Sequence, residues 1–180
     1  MDDATAPVRR RAPHLKGKHI PVREGDVFEF KAPDGRLAYC LIVVGGGCPY
    51  AAFFRTLRAE RPAMETLAQD EIALAGWTMD GPIYHGDWVK AGSLEVSGLG
   101  LRFPNFKVLK DQVHYVTDFK GRILRAASEK EAGLLDYQWS RTPGVFEDAL
   151  FALNGLAPWK PYYEKSRFEH AAARSVEPDA

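Results

Sequence analysis

The hydrophobic pattern of the chain opens with two β-compatible runs around a turn. Asp26-Val27-Phe28-Glu29-Phe30-Lys31 is followed by Asp34-Gly35-Arg36, and then by Leu37-Ala38-Tyr39-Cys40-Leu41-Ile42-Val43-Val44. This predicts a β-hairpin with strands over about residues 26–31 and 36–44. The second strand has almost no polar position, which predicts a central strand buried on both faces. Gly45-Gly46-Gly47 breaks it, and Ala51-Ala52-Phe53-Phe54-Arg55 resumes strand character. Three glycines can cradle a phosphate when a helix N-terminus and a Lys-Ser/Thr pair follow. Here Cys48-Pro49-Tyr50 follows, so a turn between strands is expected.

Further along, Pro62 suits the start of one short helix over residues 63–68. Ile72–Trp77 returns to strand character, and Asp80-Gly81-Pro82 marks a turn before Ile83–Val89. Leu94–Val96 and Leu99–Phe103 are interrupted by Gly and Pro, as edge strands or ordered loops are. A second hairpin runs from Val113–Phe119 through Lys120-Gly121 to Arg122–Arg125. Its alternation places Val113, Tyr115 and Thr117 on one face, and His114, Val116 and Asp118 on the other.

Helices concentrate late. Ser128 and Glu131 have capping-box spacing. Thr142 and Pro143 suit the cap and first position of a helix that Asn154-Gly155 ends. Phe146, Ala149, Leu150 and Leu153 fall on one stripe of it. Trp159, Pro161, Tyr162 and Tyr163 form an aromatic cluster beyond. The expected architecture is α+β: a curved, mostly antiparallel, barrel-like sheet with a C-terminal helix packed against it. Residues 23–168 are expected to form a single domain, between a disordered basic tail (1–22) and a second tail (169–180).

The 180 residues carry 24 Lys and Arg against 24 Asp and Glu, a formal net charge of zero. That balance argues against a dedicated nucleic-acid binder, although Arg9-Arg10-Arg11, Lys16 and Lys18 could serve as a nucleic-acid arm. Cys40 and Cys48 make neither a zinc spacing nor a disulfide framework, and are expected as reduced thiols. No window approaches about 18 apolar residues, and no apolar stretch follows Arg11, so a cytoplasmic protein without membrane contact is expected.

Hydrolase signatures such as Gly-x-Ser-x-Gly, His-Glu-x-x-His, a Walker loop or Cys-x-x-Cys are missing from the sequence. Of five histidines, His14, His19 and His170 lie near the ends. The local constellation is Tyr84-His85-Gly86-Asp87-Trp88. On a strand, His85 and Asp87 would share a face and could act as a base with its orienter, or as two metal ligands. His114 or Asp118 could supply a third. The structural alternative is a turn at Gly86-Asp87 with Trp88 anchored in the core. Cys48, after the glycines, is a candidate nucleophile if a base lies nearby, and otherwise a small half-buried thiol. Trp77, Trp88, Trp139 and Trp159 are expected in the core rather than at a contact. Asp80, Asp87, Glu95, Asp111, Asp118 and Asp136 could form an acidic face against a basic partner, or be scattered surface charge.

Several segments in order resemble the immunity protein 26 family, which also holds a small protein described as a phosphotriesterase. They are Glu24-Gly25-Asp26-Val27-Phe28, Asp34-Gly35-Arg36-Leu37-Ala38-Tyr39, Gly76-Trp77, Phe103-Pro104-Asn105-Phe106-Lys107, and Thr142-Pro143 to Ala157. The resemblance implies a cytoplasmic bacterial protein that neutralises a cognate toxin by occluding it, with no cofactor. The alternatives are a small phosphotriester hydrolase using His85, Asp87 and His114, and a nucleic-acid-associated domain using the basic tail.

Overall fold

The computed structural model describes residues 21–172, with side chains to residue 170. Residues 1–20 and 173–180, which hold most of the two expected tails together with His14 and His19, lie outside the described residues. Val22, placed in the first tail by the sequence reading, is buried, and its carbonyl accepts a hydrogen bond from Gly46 N (3.0 Å).

Strands β1 (Asp26–Lys31) and β2 (Leu37–Val44) form the expected hairpin. Gly35 turns it at φ 88°, and Asp34 accepts from the Arg36 backbone and side chain (3.1 and 2.7 Å). The glycine run is a turn: β3 (Tyr50–Phe54) follows it and pairs with β2. The short helix α1 (Met64–Leu67) precedes β4 (Ile72–Trp77). Helix α2 (Gly81–His85) then leads to β5 (Val89–Ser93). The antiparallel sheet runs β4-β3-β2-β1-β5, with β2 at its centre.

This position explains the unbroken apolar run of β2. Ala38, Cys40 and Ile42 enter one core, and Tyr39, Leu41 and Val43 enter the other. The first face is covered by α4 (Pro143–Leu153), numbered after the short α3 described below. Phe146, Ala149 and Leu150 of the expected stripe are buried, and Phe146 stacks on Phe53 with ring centroids 4.8 Å apart and planes 8° apart. Pro143 opens the helix as expected, but the Thr142 side chain makes no capping bond. Asn154 Nδ2 ties its far end to the Arg55 and Leu150 carbonyls (3.0 and 2.9 Å).

The second face is covered by the aromatic cluster of Tyr50, Phe103 and Phe119, whose centroids lie 4.6–5.7 Å apart. Phe103, ahead of the first strand, and Phe119, in the last turn, belong to a separate three-stranded sheet, ordered β6-β7-β8: β6 (Phe106–Lys110), β7 (Val113–Thr117) and β8 (Ile123–Ala126). The α+β class and the antiparallel pairing are as the sequence predicts. The strands make two open sheets rather than a barrel, because the Gly- and Pro-bearing stretch between β5 and β6 carries only a 3₁₀ turn at Ser97–Leu99. The stretch after Asp80 is helical where a strand was one reading: Pro82 fits the first turn and Gly86, at φ 78°, stops it. Helix α5 (Phe168–Ala172) begins where the second tail was expected.

Helix α3 (Glu129–Leu134) starts with the complete capping box. Glu131 N donates to Ser128 Oγ (3.3 Å), and Ser128 N donates to Glu131 Oε2 (2.9 Å). Arg125 grips the same carboxylate with two bonds (2.8 and 2.5 Å). Arg125 first, and then the Ser128 backbone, lower the Glu131 pKa from 4.5 to about 2.

A lowered carboxyl pKa stabilises the fold above the ordinary carboxylate range and loses that contribution as pH falls toward the folded value. NMR titration of the Glu131 side chain is expected to show it ionised to about pH 2, and Arg125→Met is expected to return its midpoint toward the ordinary range. A second expectation concerns packing. A Cβ on Gly76 would lie 2.8 Å from Phe146 Cζ, whereas one on Gly144, in the first turn of α4, meets nothing within 4 Å. Calorimetry should find Gly76→Ala destabilising by ~1–3 kcal/mol and Gly144→Ala stabilising by about 0.4–1 kcal/mol.

Candidate functional site

The structure places the three candidate catalytic residues on different supports. His85 is the last residue of α2, and Asp87 follows the left-handed Gly86, so they do not share a strand face. Both are exposed. Asp87 N and Trp88 N both donate to the Pro82 carbonyl (2.8 and 3.1 Å), which forms a turn that anchors Trp88 in the core. Trp88 stacks on Phe30 (5.2 Å) and donates its Nε1 hydrogen to Glu147 (2.7 Å). This matches the structural alternative read from the sequence. His114 lies on β7 in the other sheet, with Nε2 3.0 Å from the Tyr137 hydroxyl. Asp118 accepts from Lys120 N and Arg122 N (3.0 and 2.8 Å) and so holds the β7–β8 turn.

Asp87 lines a groove of about 520 Å³ with Glu29 and Glu147. The other two carboxylates there are engaged: Arg61 makes two bonds to Glu29 (2.9 and 2.6 Å), and Glu147 accepts from Trp88. Tyr39, whose hydroxyl donates to Glu29 (3.3 Å), has its pKa pushed up to about 12 by burial and then by the Glu29 charge. Neither His85 nor His114 lines this groove. Among the described residues no group of three or more His, Cys, Asp and Glu side chains could hold a metal ion. The acidic residues proposed as one face are spread over turns and loops of both sheets.

A different region stands out by its exposed apolar side chains. Eleven large hydrophobic residues are exposed among the described residues, and seven of them lie between Leu109 and Trp139: Leu109, Val113, Ile123, Leu124, Leu134, Tyr137 and Trp139. They occupy both faces of the small sheet and the segment beyond it: Val113 and Ile123 lie on one face, and Leu109, opposite His114, on the other. Tyr137 and Trp139, 49% and 47% exposed, are held by an extended ribbon that joins the two sheets. Lys107 N donates to the Asp136 carbonyl and Arg141 N to the Trp77 carbonyl (both 2.9 Å), with parallel bridges Lys107↔Tyr137 and Trp77↔Ser140. The ribbon is thus pinned to β6 on one side and to β4 on the other.

Between the ribbon and the small sheet runs a groove of about 490 Å³, lined by Trp77, Lys107, Val108, Thr117, Ile123, Tyr137 and Trp139 among others. Cations sit over its rings: Lys107 over Tyr137 at 5.0 Å, Arg141 over Trp139 at 4.0 Å, and Lys165 at 6.0 Å from the Trp139 centroid. Exposed Cys48 also lines it, whereas Cys40 is buried, with its thiol pKa raised by that burial. Among the described residues the lining carries no carboxylate and no imidazole. Its chemistry is that of a binding surface, with aromatic anchors and a basic rim. The sequence reading put Trp139 in the core. Its polar neighbours Gln138, Ser140 and Arg141 were the available signal for exposure.

Within the described residues no helix is long and apolar enough to cross a membrane. No curated protein and no solved structure matches the chain. The family model described as immunity protein 26 matches residues 23–114. That segment holds the whole five-stranded sheet, β6 and the start of β7. It supports the immunity half of the resemblance read from the sequence and carries nothing for the phosphotriesterase half. With more than half of its length matched, the chain belongs to the immunity protein 26 family.

Proposed function

We propose that this protein neutralises a cognate bacterial toxin by occlusion, and that the toxin docks on the groove bounded by Ile123, Tyr137 and Trp139. The family implies a toxin partner in general terms. The observation that carries the choice of surface is the pair of half-exposed aromatic rings, each under a cation, beside a groove large enough to seat partner side chains. Aromatic and arginine residues dominate interface hot spots, and their rings lose little conformational entropy on binding. Occlusion needs an interface of roughly 1,200–2,000 Å² and no bond-breaking chemistry. The rim cations Lys107 and Arg141, which lie over rings, favour an acidic patch on the toxin over the basic one considered from sequence. In this proposal residues 23–168 act as one binding unit in the cytoplasm of the producing cell.

Titration calorimetry against the cognate toxin is expected to show Trp139→Ala weakening binding by about 2 kcal/mol or more, roughly thirtyfold. The melting temperature should stay close to that of the parent, because the ring is half exposed. An unchanged affinity for Trp139→Ala and for Tyr137→Ala would remove this surface from the interface.

A further inference from the structure

Next to the groove, and sharing Trp77 and Trp139 with it, lies a smaller cavity of about 50 Å³. Roughly 10–15 Å³ of such space holds one water, so this cavity accommodates a small polyatomic group and excludes a ring system. Its walls come from β3, β4, the start of β6, the ribbon, α4 and the C-terminal segment. Three polar atoms of wall residues are buried without a hydrogen-bond partner: Trp77 Nε1, Arg141 Nη2 and His170 Nε2. Trp77 itself is only 9% exposed.

The first two atoms can only donate, and the third donates in one tautomer and in the imidazolium form. A buried donor left unpaired is destabilising. Three of them on the walls of one cavity call for an acceptor. Charge narrows its nature. The ionisable wall groups are Arg141, Lys165, Asp136, His170 and Tyr50, whose hydroxyl is kept protonated by burial. Asp136 Oδ1 faces Lys165 Nζ at 3.5 Å. The Arg141 guanidinium stacks on Trp139 and pairs with no carboxylate among the described residues. Burial lowers the Arg141 pKa, as expected of a cation without a counter-ion, and the Tyr162 contribution raises it.

We infer that this cavity binds a single carboxylate group, held by the Arg141 guanidinium, the Trp77 indole N–H and His170. Planar carboxylates match the fork of guanidinium donors. The cavity and the groove share Trp77 and Trp139, so a partner docked in the groove lies next to the cavity. The assignment of that carboxylate to an acidic side chain of the toxin rests on the function proposed above; the site itself does not.

The test follows the Trp77 indole N–H of the full chain by ¹⁵N-resolved NMR at constant ionic strength. Sodium acetate should shift it saturably, and acetamide, the neutral isostere, should not. Arg141→Gln is expected to weaken acetate about tenfold or more, the worth of a charge-assisted bond, while Arg141→Lys retains part of the affinity. No saturation up to about 100 mM acetate, a regime weaker than any specific site, or an equal response to acetamide, would mean that the cavity holds water only and overturns the inference. N-acetylaspartate amide, a model of a protein side chain, separates the sources. Binding tighter than acetate supports an acidic side chain, whereas weaker binding keeps the site and overturns that source. Because no toxin is used, failure here is distinct from failure of the toxin-docking surface.

Discussion

A central strand that is apolar on both sides must be covered twice. β2 sends Ala38, Cys40 and Ile42 to one face and Tyr39, Leu41 and Val43 to the other, all essentially excluded from water. Each face therefore requires its own layer, because exposure of either would forfeit about 25 cal/mol for every Å² of apolar surface. One face receives a helix, α4, whose Phe146 stacks flat on Phe53 because Gly76 leaves no Cβ in the way. The other face receives Phe103 and Phe119, which lie on Tyr50. Phe103 leads into β6 and Phe119 lies in the β7–β8 turn, so covering the second face brings β6–β8 and the 136–141 ribbon to the edge of β4. The candidate groove is the seam between the two sheets.

The charges separate scaffold from surface. On the scaffold, carboxylates are held: Glu29 by Arg61 and Tyr39, Glu147 by Trp88, Asp26 by Lys90 (2.6 Å), and Glu131 by Arg125 and Ser128. Such pairs, partly shielded from water, fix loops and strand ends more than they add net stability. At the seam Lys165 still faces Asp136 (3.5 Å), but two other cations are placed differently. Lys107 and Arg141 lie on aromatic rings instead of against acids. A guanidinium lying on indole is held flat and remains able to donate from its edges, which is the state a binding site requires before its ligand arrives.

Much of the scaffold was legible in the chain. The apolar run of β2 predicted a central strand, the Ser128–Glu131 spacing predicted a helix start, and the Pro143–Gly155 pattern predicted α4. The missing pieces share a physical cause. The β6–β7 hairpin turns on Asp111 and Gln112, both with positive φ (49° and 63°), where Asn and Gly are the usual turn signal. Without that signal the sequence assigns no element to residues 106–110. β5 is a short edge strand containing Gly92, and its sequence Val-Lys-Ala-Gly-Ser has little strand propensity. It forms because β1 offers it a partner, a tertiary cause that local pattern does not carry. The ribbon of Tyr137 and Trp139 has no period at all; it is extended because β6 and β4 each accept one bridge from it. His85 and Asp87 looked paired only while the stretch could be a strand, and Pro82 and Gly86 make it a helix with a left-handed stop.

The reach of the family match bears on how such a protein acquires its partner. The matched residues 23–114 contain the five-stranded sheet and the first edge of the groove, Trp77, Lys107 and Val108. Ile123, Tyr137 and Trp139, the exposed rings and aliphatic chain of the other edge, lie beyond it. Partner discrimination is a difference of affinities between cognate and non-cognate surfaces, and it is set by the few side chains at the centre of the contact. Tyr137 and Trp139 sit on a ribbon whose backbone is tied to the scaffold by Lys107 N to the Asp136 carbonyl and Arg141 N to the Trp77 carbonyl, so those two bonds do not depend on which side chains it carries. The doubly covered sheet supplies the rigidity, and the ribbon supplies a surface whose side chains are not committed to the core.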